Sequence, residues 1–185
     1  MDAATAIIIV AIIIVLIGVG FWYFQRQRSS KIRRRFGPEY ERTVTETGDR
    51  RKAEQILEKR EKRVQGFLIR ALPQADRERF ASAWREVQAQ FVDDPKAAVT
   101  RADQLVADLM NMRGYPVADF EQRAADLSVD HPIVIENYRA AHDIALRHRR
   151  GEASTEDLRQ AMVHYRTLFE DLLGSRETMQ AEVRR

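Results

Sequence analysis

The sequence predicts an all-α protein: an N-terminal transmembrane helix, a juxtamembrane helix, and a compact bundle of about four to five short helices. Three observations predict it. Residues Ala3 to Phe24 run for 22 positions without a charge, and six Arg or Lys residues follow within the next eleven. Beyond them, apolar residues recur at i, i+3 or i+4, and i+7 in segment after segment, which is the period of a helix face. No segment alternates with period two for long enough to suggest a strand.

The apolar run comes first. A helix rises about 1.5 Å per residue, so this run reaches about 33 Å, against about 30 Å for a hydrocarbon core. It ends in Phe21, Trp22, Tyr23 and Phe24, aromatics suited to a membrane interface. Asp2 precedes it, no basic side chain does, and Gln25-Arg26 makes a poor cleavage site, so the run reads as a retained anchor over 1–25 and not as a signal peptide. Arg26, Arg28, Lys31, Arg33, Arg34 and Arg35 all lie on its C-terminal side. The positive-inside rule then places the N-terminus outside the cell membrane and the rest in the cytoplasm. The same six residues are candidate contacts to the surface of a lipid bilayer, each worth about 1 kcal/mol near anionic lipid.

Composition narrows the rest. The net charge is +3, but residues 1–35 hold six of the 31 basic and one of the 28 acidic side chains, so the remainder carries −2. Such a domain has no excess positive field for phosphate, which argues against nucleic acid. With no cysteine in the chain, disulfides, thiol catalysis and thiolate metal sites are excluded. About 150 residues follow the anchor, enough for one domain with a core.

The elements follow in order. Residues 26–66 read as a basic connector and a charged helix. Phe36-Gly37-Pro38 should interrupt any helix leaving the bilayer. Asp49 to Val64 shows only a thin apolar line, Ala53, Ile56, Leu57 and Val64, and reads as an exposed helix or short coiled-coil stalk. Residues 67–174 read as the helical domain. Its first helix spans about Gln74 to Phe91, with Phe80, Trp84, Val87 and Phe91 on one face. Asp94 suits an N-cap and Pro95 the first helical position of the next, whose inward face holds Ala98, Ala102, Leu105, Leu109 and Met112. Gly114 is placed to end it. Pro116 to Leu127 follows, with Val117, Phe120, Ala124 and Leu127 inward, then a connector over 128–132. Pro132 to Arg149 turns Val134, Tyr138, Ala141 and Ala145 inward, and Gly151 stops it. Ser154 and Asp157 open the last helix as a capping box. Its stripe is Leu158, Met162, Tyr165, Phe169 and Leu172, and Gly174 closes it. Residues 175–185 read as a flexible tail. The expected core is Phe80, Trp84, Val87, Phe91, Leu105, Leu109, Phe120, Tyr138, Met162, Tyr165 and Phe169.

No reaction is legible. His131, His142, His148 and His164 lack metal-binding spacings, so no metal is expected. The carboxylate pairs Glu39/Glu41, Asp93/Asp94 and Glu156/Asp157 sit at expected helix starts, where acids complement the dipole. Phosphate loops and nucleophile elbows have no matching string. Neither a catalytic nor a cofactor-binding residue can be named, and the protein is not expected to be an enzyme. Tyr40 and Tyr115 lie outside the apolar stripes and are candidates for surface recognition.

The strings FGPEYERTV (36–44), FVDDPKAAVTRADQLVADLMNMRGYP (91–116), DFEQRAADLSVDHP (119–132), ENYRAAHDIA (136–145) and GEASTEDLRQAMVHYRTLFEDLL (152–173) resemble an uncharacterised bacterial family. Its members carry one N-terminal membrane span and are described as membrane or secreted proteins. The resemblance covers most of 36–173 and implies no activity, cofactor or catalytic residue. The expectation is a membrane-anchored adaptor that binds a protein partner at the cytoplasmic face. The alternative is a membrane-tethered ligand sensor or enzyme with a pocket between helices. A shallow apolar groove would favour the first and a deep polar pocket the second.

Overall fold

A computed structural model describes residues 29–116 and 118–174, with isolated positions 16, 19, 20, 23, 26 and 27. All regular structure among the described residues is helical. Residues 29–36 are helical, and seven helices follow: α1 (Pro38–Thr47), α2 (Arg50–Val64), α3 (Gln74–Asp93), α4 (Pro95–Arg113), α5 (Phe120–Asp130), α6 (Ile135–Arg149) and α7 (Thr155–Leu172). The chain divides into two compact units, Met1–Glu58 and Lys59–Arg185.

The expected single-pass anchor is corrected. Among the described residues no helix is long and apolar enough to cross a membrane. Most of the run from Ala3 to Phe24, on which that reading rested, lies outside the described residues. The tail over 175–185 and Val117 lie outside them too.

In the first unit, Gly37 breaks the helix after Phe36. Its φ of +49° is a left-handed value that costs an L-residue and not glycine. Pro38 then starts α1 at a position where its missing N–H is no loss. This helix replaces what reads in sequence as connector. Its Thr-rich stretch has little apolar signal. Thr43, Thr45 and Thr47 instead return their hydroxyls to the carbonyls of Glu39, Glu41 and Thr43 at 2.8–2.9 Å. The exposed-helix reading of α2 is also corrected, because Ala53 and Leu57 are fully buried. Among the described residues, Ile32, Phe36 and Tyr40 supply the unit's other buried apolar groups. A polar knot ties them in. Ser29 Oγ and Tyr40 OH both donate to Glu54 Oε1, at 2.6 and 2.9 Å, and Arg50 Nε donates to Tyr40 OH at 2.8 Å.

The second unit is the larger. Helix α4 lies at its centre, packed on α3, α6 and α7, while α6 pairs with both α5 and α7. The caps follow local chemistry. Asp94 accepts from Ala97 N at the start of α4, and Asp119 from Gln122 N at the start of α5. Ser154 and Asp157 form a reciprocal capping box on α7. Helix α5 starts at Phe120, later than Pro116, because Asp119 is the cap that holds. It also runs through the expected connector to Asp130, with His131 as its C-cap. Gly114 ends α4 at φ +98°, and the segment after α2 lies directly over it: Arg70 N donates to Arg113 O and Arg70 Nε to Met112 O, both at 2.9 Å.

Candidate functional site

The second unit's core holds Phe80, Trp84, Val87, Leu109, Tyr138, Met162, Tyr165 and Phe169 as buried side chains. Phe91, Leu105 and Phe120 are only partly buried against it. Phe91 marks where the core reaches the surface. On α3, Trp84, Gln88 and Phe91 fall at i, i+4 and i+7. On α7, Arg159, Met162, Val163 and Arg166 fall at i, i+3, i+4 and i+7. Helical spacing puts each set on one face. Together they line an open groove with a volume of about 160 Å³.

The floor is apolar. Trp84 stacks on Phe169 of α7 with ring centroids 4.7 Å apart and planes 19° apart, so the indole lies flat against the core. Met162 lies buried beside it, and Val163 is 51% exposed. The α7 rim is cationic. Arg159 grips Glu156 in two bonds at 2.7 and 2.8 Å, and Arg166 Nε donates to Glu170 at 2.6 Å. The lining itself contains both arginines and no carboxylate.

A second hollow, of about 90 Å³, lies beside the C-terminal half of α4, where Gln104, Asp108 and Asn111 face Tyr115, Pro116 and Arg123. Gln104 donates to Asp108 at 2.9 Å. The core also contains a pair of tyrosines. Tyr165 OH donates to Asp103 at 3.0 Å, and the Tyr138 ring meets that of Tyr165 edge-on at 6.4 Å. Burial, above all, pushes both phenols well above their ordinary range, and the Asp103 charge adds to it. His142 stacks on Phe120 with centroids 3.5 Å apart, and burial pulls its pKa below the usual histidine value.

Two further histidines tie elements together. His131 Nδ1 meets Asp171 at 2.5 Å, joining the end of α5 to the end of α7. His164 Nδ1 meets Asn137 Oδ1 at 2.8 Å, joining α7 to α6. A histidine–carboxylate pair orients a base only with a nucleophile in reach. Besides Asp171, the His131 ring faces the Tyr115 ring at 6.4 Å. Among the described residues no group of three or more His, Asp or Glu side chains is placed to hold a metal ion.

The comparisons with known proteins add no relative: no family model, no curated protein and no solved structure matches the chain. The functional reading therefore rests on the geometry.

Two sequence candidates are corrected. Tyr40 and Tyr115 are buried, not surface groups. Tyr40 anchors the knot at Glu54, and Tyr115 donates to Asp130 at 3.0 Å while its ring meets Phe67 edge-on at 6.5 Å. Neither belongs to an apolar stripe because each is buried from a turn or a helix start. Of the six basic candidates, Arg28 lies outside the described residues. Arg26, Lys31, Arg33, Arg34 and Arg35 are exposed, and Arg33 pairs with Glu41 at 2.7 Å. Sequence reasoning missed Gln88, Arg159, Val163 and Arg166. The available signal was the i, i+4, i+7 register of Arg159, Val163 and Arg166 beside the Met162 stripe.

Proposed function

We propose that the helical unit beginning at Lys59 is a protein-binding module that receives a helix of a partner in the groove between α3 and α7. The groove carries this reading: an apolar floor of Trp84, Phe91 and Met162, open to solvent and edged by polar side chains. Recognition of an amphipathic helix uses such a surface. Its size supports the same reading. Sites that enclose small molecules measure about 300–1,000 Å³, whereas this one, about 160 Å³, suits a single side chain projecting from a larger partner. The walls favour a helix over an extended peptide. The backbones of α3 and α7 are engaged in their own hydrogen bonds, so they offer only side chains. A helix satisfies its own backbone and needs nothing more.

The test uses Gln88, exposed at the rim, replaced by a photo-crosslinking residue in the full chain. Adducts with a partner protein are expected in cells. Val163→Glu, which places a charge over the floor, should abolish them. Ile133→Glu, at a residue 75% exposed outside the groove, should not. No adduct from Gln88, or equal loss with both variants, would overturn the reading.

A further inference from the structure

The charge at the rim specifies the partner more closely. Building on the docking reading above, we infer that the groove selects a partner helix whose apolar anchor residue is bracketed by acidic residues about one turn to either side. Arg159 and Arg166 stand seven positions apart on α7, about 10.5 Å along the axis at 1.5 Å per residue. Met162 and Val163 lie between them. An apolar side chain lowered between the arginines places the residues three or four positions before and after it beside the two guanidinium groups. The lining holds no carboxylate, and the two that now bond the arginines, Glu156 and Glu170, lie outside it.

Both arginines are free to be recruited. Their present partners, Glu156 and Glu170, lie on α7 outside the lining, and the arginine side chains are 57% and 55% exposed. Ion pairs this exposed are weak. Exchanging a glutamate on the same helix for one on a partner costs little, and the partner's carboxylate is better desolvated once its helix covers the floor. Guanidinium forks also suit carboxylates in particular, since they accept two parallel bonds. A neutral helix would fill the hollow but leave the two guanidinium groups on Glu156 and Glu170, gaining no ion pair, and a basic one would bring like charge to them. That mismatch excludes wrong partners as much as it attracts the right one.

A display library of helical sixteen-residue peptides, selected on the full chain and counter-selected on Val163→Glu, tests this. Peptides that need the groove should carry Leu, Met or an aromatic residue with Asp or Glu three or four positions away on each side. Arg159→Gln and Arg166→Gln should each weaken such a peptide by up to about fivefold, the range of an exposed ion pair. Raised salt should lessen the difference. Groove-dependent peptides without acidic enrichment would overturn the charge rule and leave the docking reading standing. A library yielding no groove-dependent peptide would overturn both. Vesicles of anionic lipid are the remaining arm. Binding to them that Val163→Glu abolishes would assign the groove to a lipid surface and overturn the inference.

Discussion

Gly114 shows how much one residue can settle. A Cβ there would lie 2.3 Å from the carbonyl oxygen of Leu68, and φ is +98°. Gly114→Ala should destabilise the unit by about 1–3 kcal/mol from backbone conformation alone, with the clash adding to it; denaturant unfolding measures this. Trp84→Ala removes the ring stacked on Phe169 and should cost about 3–5 kcal/mol; an unchanged melting temperature would contradict its place in the core. His142 has a pH signature. Its folded pKa lies below its unfolded value, chiefly through burial, so the unfolded chain binds the proton more readily. Stability is therefore full above about pH 6.5 and falls as the pH drops below it. Asp103 and Glu121 oppose that shift, while Arg149 and Arg123 add to it. His142→Phe keeps a ring against Phe120 and should melt with a shallower acid dependence than the parent chain. Parallel curves would rule out this linkage.

At the scale of the element, caps rather than propensity decide the boundaries. Ser154 and Asp157 satisfy each other's backbone N–H at the start of α7. Ser154→Ala should cost about 1 kcal/mol, measured by thermal unfolding, while Ser30→Ala in the first unit should leave the second unit's transition in place. The Asp94-Pro95 start of α4 and the Gly114 stop are legible in sequence because each needs only neighbouring residues. Helix α1 was not legible. It has few apolar residues, and Tyr40, its main buried ring, is held by Arg50 and Glu54 from α2. The exposed reading of α2 failed for a related reason. Its apolar line is thin, yet Ala53 and Leu57 on that line are fully buried.

At the scale of the molecule, the second unit begins within α2, at Lys59. Asp126 explains why. Its side chain is 1% exposed and receives Arg63 Nε at 3.0 Å, with the Gln122 amide at 2.8 Å. Arg60 reaches Ser128 on the same helix. A fragment beginning at Lys59 should fold as a helical unit by circular dichroism. One beginning at Leu68 leaves Asp126 without its cation and should be less stable by on the order of 2 kcal/mol; Asp126→Asn should recover part of that loss. Equal stability of the two fragments would show that α2 contributes nothing to the unit.

The sequence by itself determined the all-helical class and most of the starts and stops of the second unit. Periodicity and capping act over three or four residues, so they are written locally. Only the tertiary structure decided that Tyr40 and Tyr115 are internal, that Asp126 needs an arginine from another helix, and that two faces of α3 and α7 leave a groove between them. Those outcomes depend on which surfaces meet beyond the reach of a helical turn, from 10 positions for Arg50 on Tyr40 to 63 for Arg63 on Asp126. An apolar stripe reads the same whether its edge is covered by a neighbouring helix or left open. The stacking of Trp84 on Phe169 fills the base of the groove and leaves its mouth, at Val163, exposed to solvent.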